Sequence, residues 1–220
     1  MIDEPDFLEV DRFWRESFES QKYDLSLAGR ALLRSHYWCE KTYPGKQDCV
    51  SILEVGCSSG RHIPFVNSRF DHYTLVDTSR VNSIVTNNRV AFVNSDARSL
   101  PFASCSFDRL VSCHVLEHID NPVSALKEWN RVTRNGGWIS IVLPTDPGLF
   151  WRLGRLIAPK WSNSHCPYDY YMAREHINSI FNLESIIKFH FPKVRSYWFP
   201  CKIPSADLNL FYICHIQVQK

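Results

Sequence analysis

The sequence predicts an α/β fold in which helices cover both faces of a mostly parallel sheet. Short apolar runs recur at fairly regular intervals, and segments long enough for helices separate them. Uninterrupted apolar strands are typical of parallel sheets that are buried on both faces. A turn of small residues follows the first run. At the strand ends of such sheets, a turn of this kind lets the backbone come close to a bound ligand. A chain of 220 residues is long enough for one such domain with a small appendage.

The first 48 residues precede this alternation and are predicted to form a helical cap. An apolar helical stripe occupies residues 25–38, and Pro44-Gly45 ends it. We expect residues 49–220 to form the α/β domain. A helix is predicted after the first strand. The predicted strands are 50–55, 73–76, 90–93, 110–113, 138–143, 194–199 and 209–218.

The best-marked helix is predicted at 122–134. Asn121 can cap it, Pro122 suits its first turn, and Gly136-Gly137 stops it. After residue 143 several prolines and aromatic residues break the alternation, which indicates an insertion near 145–175. A further helix is predicted near 174–190.

Composition narrows the class of protein. The formal charge of +2 is close to balance, which argues against an extended nucleic-acid interface. None of the eight cysteines forms a Cys-x-x-Cys pair, the first residues are acidic, and no apolar run approaches the length of a membrane span. We therefore expect a cytoplasmic protein with reduced thiols.

Three features at predicted strand ends carry the chemistry. Glu54 precedes the small-residue turn 56–60, Asp77 ends the second strand 21 residues after Gly56, and Asp96 follows the third strand. A small turn lets backbone N–H groups approach a nucleoside, and an acid at the second strand end can accept hydrogen bonds from ribose hydroxyls. Each acid also has an alternative role: Asp77 as a helix cap or turn residue, and Asp96 in an Asx-turn.

Several strings of the chain resemble the motifs of class I S-adenosylmethionine-dependent methyltransferases, and in particular the ubiquinone/menaquinone-type small-molecule subgroup. The resemblance covers roughly residues 50–145. The strings are 54–60, 76–77, 96–102 with 106–108, 115–119 and 131–137.

This resemblance implies a Rossmann-like sheet of seven strands, five of them parallel, with a C-terminal antiparallel hairpin. It implies S-adenosyl-L-methionine as cofactor, with Glu54 and Gly56 near its methionine part, Asp77 on the ribose and Asp96 near the adenine. The family usually has glycine where this chain has Ser58; a serine is tolerated there if the backbone keeps φ below zero, with a turn that is tighter on its ligand. The full predicted cofactor-binding set is Glu54, Gly56, Cys57, Ser58, Gly60, Asp77, Thr78, Asp96, Ala97 and His114.

The predicted catalytic residues follow the fourth strand: His114, Glu117 and His118. His118 is the first choice for a general base, and His114 is expected to line the pocket. The alternative is a polar pocket edge without a catalytic role. The two histidines have a metal-pair spacing, but no third ligand is evident, so the sequence predicts no metal.

The expected reaction is methyl transfer to oxygen or nitrogen of a small-molecule or lipid-like acceptor. The Asp/Asn-Pro-Pro-Tyr motif of enzymes acting on planar amino groups is absent. In the segment 147–160, Leu149, Leu153, Leu156 and Ile157 form an apolar stripe beside Arg152, Arg155 and Lys160. This segment predicts either peripheral membrane contact or a lid packed on its own domain. The aromatic run 168–171, with His165 and His176, is expected to wall the pocket or to pack on the core.

An alternative function is an inactive cofactor-binding partner or regulatory subunit, which Ser58 and the unidentified base leave open. A nicotinamide-dependent dehydrogenase is excluded because the Gly-x-Gly-x-x-Gly spacing is missing.

Overall fold

The computed structural model describes residues 27–45, 49–79, 86–157 and 168–220. The remaining residues, including most of the predicted cap, lie outside this description. The helices are α1 (Leu27–Thr42), α2 (Pro122–Val132), α3 (Leu149–Ile157), α4 (Tyr168–Glu175) and α5 (Ile180–His190). The strands are β1 (Ser51–Val55), β2 (His72–Asp77), β3 (Val90–Asn94), β4 (Phe107–Cys113), β5 (Thr133–Pro144), β6 (Val194–Pro200) and β7 (Asn209–Gln217).

The seven strands form one sheet in the order β3-β2-β1-β4-β5-β7-β6. The first five strands are parallel neighbours, and β7 runs antiparallel to both β5 and β6. The predicted fold class and the C-terminal hairpin are therefore confirmed. The strand order reverses between β1 and β4, so a crevice is expected beyond the carboxyl ends of these two strands.

The two faces of the sheet are covered differently. Helices α2 and α5 bury one face in an apolar cluster that includes Leu126, Trp129 and Ile187. On the other face α1 contributes Cys39 to a second apolar cluster. It also contributes Glu40, which pairs with Arg109 of β4 at 2.6 Å (Oε1 to Nη2), and both side chains are fully buried.

Glu40 is held as a carboxylate. Burial alone would raise its pKa, but the hydrogen bond from His62 and the charge of Arg109 lower it to about 2. Removing one partner of such a buried pair leaves an uncompensated charge, which typically destabilises a protein by about 3–5 kcal/mol. The pair thus fixes where α1 lies on the sheet.

Two helix predictions were wrong. In place of a helix after β1, the chain makes turns and one short 3₁₀ turn, Ile63–Phe65. The helix predicted at 174–190 is two helices, because Ser179 caps a new one: its side chain accepts a hydrogen bond from Asn182 N. Among the described residues, no helix combines the length and the apolar character needed to cross a membrane.

Candidate active site

The turn after β1 is tied directly to the neighbouring strand. The backbone N–H groups of Gly56 and Cys57 donate to Val76 O at 2.8 and 3.1 Å. Gly56 and Gly60 have φ of +72° and +73°, which favours glycine. A Cβ atom at position 56 would lie 2.2 Å from Val115 Cγ2. The predicted requirement for small residues in this turn therefore has a steric basis.

Ser58 does not meet the condition under which a serine is tolerated in this turn. Its φ is +45°, in the left-handed region rather than below zero. A non-glycine residue in this region costs roughly 1–2 kcal/mol. The N–H of Ser58 donates to Asp77 Oδ2 at 2.8 Å, and this bond holds the residue in its strained conformation.

Asp77 lies at the carboxyl end of β2, facing this turn, and is half-buried. Besides the bond from Ser58, its Oδ1 accepts a hydrogen bond from Ser79 N at 3.3 Å. The turn-residue alternative therefore describes its contacts in the unliganded chain. Contact with a ribose remains a prediction, and neighbouring Thr78 is exposed.

Asp96 likewise makes the local contacts of an Asx-turn. Its Oδ1 accepts from Arg98 N at 2.7 Å, and its Oδ2 pairs with Arg98 Nη2 at 2.7 Å. The hydrogen bonds from Arg98 lower the pKa of Asp96. The carbonyl of Ala97 accepts from Trp129 Nε1 at 3.0 Å, which anchors this turn to α2. A role at the adenine remains a prediction for both residues.

Glu54 is almost fully buried beneath the turn. Its Oε2 accepts a hydrogen bond from Tyr73 OH at 2.7 Å. Burial raises its pKa to about 8, in spite of that hydrogen bond. The pKa of the buried Cys57 thiol is also raised by burial, so this cysteine is an inert thiol. We call Glu54, the turn 56–60, Asp77 and Asp96 the cofactor side.

Four other side chains meet at the end of β4, and we call them the acceptor side: His114, Glu117, His118 and His176. His114 has φ of +59°, and its Nε2 lies 2.8 Å from Ser35 Oγ of α1. Ser35 Oγ already donates to Leu32 O, so His114 Nε2 is the donor. Burial and the neighbouring histidines lower the pKa of His114 to about 3, which makes it a neutral pocket residue.

Glu117 is the buried centre of the acceptor side. Its Oε1 lies 3.8 Å from His114 Nδ1 and 4.0 Å from His118 Nε2. Its Oε2 is buried without a hydrogen-bond partner. Burial raises the pKa of Glu117 to about 7.

His118 and His176 flank Glu117. The side chain of His118 is 37% exposed, and its Nδ1 donates to the backbone oxygen of Glu175 at 3.0 Å. His176 Nδ1 lies 2.9 Å from Asp146 Oδ2. The rings of His118 and His176 meet edge-on, with their centroids 4.9 Å apart. The sequence placed His176 only in a general pocket wall. Its meeting with Glu117 depends on the path of the chain through the insertion.

The insertion begins with α3, which presents apolar side chains to solvent. Leu149 and Leu153 are 47% and 45% exposed, and Arg152 beside them is exposed too. Trp151 turns inward and stacks on His176 with ring centroids 6.2 Å apart. The side chains of 155–157 and 168–171, and residues 158–167, lie outside the described part, so those sequence predictions stay predictions.

Part of the chain is similar to known proteins. Residues 53–141 match the family described as "Methyltransferase domain". Two curated relatives from Oryza sativa subsp. japonica are 2-methyl-6-phytyl-1,4-hydroquinone methyltransferases 2 and 1. They are 39% and 32% identical over 50% and 51% of this chain, and the matches cover 33% and 36% of their own lengths. The chain thus spans about a third of these relatives.

Solved structures extend the similarity to nearly the whole chain. The plantazolicin methyltransferase BpumL has a TM-score of 0.68 at 15% identity, covering 97% of this chain and 92% of its own. A possible histamine N-methyltransferase from Thermotoga maritima has a TM-score of 0.64 at 17% identity, covering 94% and 97%. At these identities the structures show the fold alone. Together the comparisons show that residues 53–141 are similar to a methyltransferase domain and that the chain has the fold of solved methyltransferases.

Proposed function

We propose that this protein transfers a methyl group from S-adenosylmethionine to a lipophilic hydroquinone or phenol. One observation carries the methyl-transfer part: the segment 53–141 that matches the methyltransferase domain contains the strained turn, Asp77 and Asp96, which follow or end the neighbouring strands β1, β2 and β3 at the same edge of the sheet. The acceptor class is supported by the relatives, two of which are named for a phytyl hydroquinone.

The cofactor side would bind S-adenosylmethionine through the contacts that the family resemblance implies. Asp77 would accept hydrogen bonds from the ribose hydroxyls, with Asp96 at the adenine. Glu54 would lie near the sulfonium, whose positive charge favours the ionised carboxylate and so lowers the raised pKa of Glu54. Binding of the cofactor is then coupled to release of a proton.

The acceptor side would handle the proton of the acceptor. The methyl group is already activated by the sulfonium, so the protein must align the nucleophile with it and exclude water. A hydroxyl becomes a strong nucleophile when its proton passes to a base. Glu117 and His118 stand where β4 ends, and a carboxyl with a pKa of about 7 suits such a transfer near neutral pH. The S–CH3 bond breaks as the new bond to the acceptor forms.

Helix α3 would bring the protein to the place where a lipophilic acceptor dissolves. Its exposed Leu149 and Leu153, with Arg152 beside them, fit a helix that rests on a membrane surface where prenylated substrates dissolve. We therefore propose the segment 147–160 as the contact with such a surface.

The test is a labelled-methyl assay with S-adenosylmethionine and a synthetic prenylated hydroquinone in detergent micelles. We expect a methylated product, and its mass spectrum and NMR identify oxygen or ring carbon as the acceptor atom. His118→Ala should lower turnover about 100-fold with little change in cofactor affinity. The matched control is His72→Ala, since His72 is exposed at the opposite, amino end of β2.

Two outcomes would contradict the proposal. Methylation of amines but not of phenols in a panel of extracts would refute the acceptor class. Saturable cofactor binding with no methylated product in any extract fraction would favour a non-catalytic cofactor-binding subunit instead.

A further inference from the structure

Three side chains of the acceptor side have the composition of a metal site. Potential ligand atoms of Glu117, His118 and His176 all lie within 4.8 Å of one another. They come from two separate parts of the chain: the 3₁₀ turn after β4 and the residue that follows α4. Two imidazoles and one carboxylate are a set that binds Zn²⁺ and other borderline divalent metals.

The hydrogen bonds of both histidines orient them for this role. Metal-binding histidines usually donate their second ring N–H to a carbonyl or a carboxylate. His118 Nδ1 donates to the Glu175 carbonyl, and His176 Nδ1 bonds to the Asp146 carboxylate. In each ring the Nε2 lone pair is thereby left as the ligand atom.

The carboxylate supplies an independent observation. Glu117 is 2% exposed, and its Oε2 has no hydrogen-bond partner. A buried carboxyl oxygen without a partner destabilises the fold. A bound cation between Glu117 and the two histidines would satisfy it.

Two other groups of potential metal ligands lie in the described part of the chain, and neither contains a buried carboxyl oxygen without a partner. One contains Glu40, and the other contains His36. Glu40 is already saturated by Arg109 and His62, and His36 is hydrogen-bonded to His62 at 3.0 Å. Their polar atoms bind one another, whereas Glu117 Oε1 lies 4.0 Å from His118 Nε2, too far for a hydrogen bond.

We propose that Glu117, His118 and His176 bind one divalent transition-metal ion of the Zn²⁺ type, with Asp146 and the Glu175 carbonyl as positioning groups. Tetrahedral Zn²⁺ places its ligand atoms about 3.3 Å apart. Ligand atoms that lie within 4.8 Å of one another must therefore approach by at most about 1.5 Å, and the partly exposed ring of His118 has room to move.

Three protein ligands would leave a fourth coordination position open for an oxygen of the acceptor. A metal there would lower the pKa of the acceptor hydroxyl, and in the metal-bound chain the ion would replace Glu117 and His118 in promoting loss of the hydroxyl proton. This consequence rests on the proposed function, but metal binding itself does not. An oxygen-bearing acceptor is the class that such a site favours.

The experiment is calorimetric titration of the metal-free full chain with ZnCl₂, together with Co²⁺ absorption spectra. We expect saturable binding of one ion per chain and a tetrahedral Co²⁺ spectrum. His118→Ala and His176→Ala should each weaken Zn²⁺ binding at least tenfold. Asp146→Asn should weaken it about tenfold with all three ligands still present. His190→Ala is the control, since His190 is exposed at the end of α5, and MgCl₂ should not compete.

The site is refuted if the ligand variants bind Zn²⁺ as tightly as the native chain, or if the native chain shows no saturable binding. Circular dichroism and S-adenosylmethionine affinity of each variant report whether it is folded. Because these readouts need no acceptor, loss of the metal site and failure of the methyl-transfer proposal are distinguishable: a chain can bind Zn²⁺ and still give no methylated product.

Discussion

The cofactor side and the acceptor side lie at the same edge of the sheet but consist of different kinds of chemical groups. The cofactor side uses backbone N–H groups, glycines with positive φ and half-buried carboxylates from adjacent strand ends. The acceptor side uses ionisable side chains collected from the segment that follows β4 and from the residue that follows α4. A cofactor of fixed shape can be bound by short contiguous motifs, whereas the acceptor site depends on how distant segments pack.

Each side contains one buried carboxyl group. The largest effect that we expect is on the pH dependence of the free energy of unfolding, and it tests both groups. The folded-state pKa values of Glu54 and Glu117 are raised by burial to about 8 and about 7. An acid with a raised pKa stabilises the fold fully below its unfolded pKa of about 4.5, and this contribution is lost as pH rises through the folded value. We expect the free energy of unfolding to fall by about 4 kcal/mol between pH 5 and 9 through Glu54 alone.

Urea denaturation across this pH range, without cofactor or metal, measures the effect. The quantity to compare is the difference in the free energy of unfolding between native protein and variant, because buried histidines such as His114 add a pH dependence of the opposite sign below pH 6.5. Glu54→Gln should change that difference by about 4 kcal/mol between pH 5 and 9, Glu117→Gln by less, and the exposed control Asp71→Asn not at all. Parallel stability curves for native protein and Glu54→Gln would show that Glu54 ionises normally in the fold.

The next effect concerns cofactor affinity. Asp77→Ala removes the proposed ribose acceptor and also frees Ser58 N–H, so we expect S-adenosylmethionine to bind at least 100-fold more weakly. Calorimetry measures it, with Asp71→Ala as the matched control on the other end of β2. Unchanged affinity would show that Asp77 does not bind the ribose and serves only as a turn residue.

The smallest effect isolates the strain in the turn. Ser58→Gly relieves a left-handed serine but makes the unfolded chain more flexible, so its stability should change by less than about 1 kcal/mol. Ser58→Val should lose roughly 2 kcal/mol, because a branched Cβ tolerates positive φ poorly. Thermal unfolding and cofactor titration measure both variants. A tenfold weaker cofactor affinity in Ser58→Gly would instead indicate that the serine hydroxyl contacts the ligand.

The sequence and the structure agree best where local signals are strong. The strands were predicted from continuous apolar runs, and helix α2 from Asn121, whose side chain accepts from Ser124 N as a cap should. The helix after β1 was wrong because the segment has few apolar residues in helical spacing and forms turns instead. The left-handed φ of Ser58 is not evident from the sequence, because the bond that holds it comes from Asp77, 19 residues away.

The sequence by itself determined the class of fold, the cofactor class and the positions of Asp77 and Asp96 at strand ends, because these depend on periodicity and contiguous motifs. Only the tertiary structure brought His176 to Glu117 and His118, since that contact joins residues 59 and 58 positions apart through a turn and a helix that no local pattern orients. It also decided that Glu54 and Glu117 are buried and that the small-residue turn carries a strained serine. Burial and strain arise from packing between segments, and a linear sequence does not specify which segments will meet.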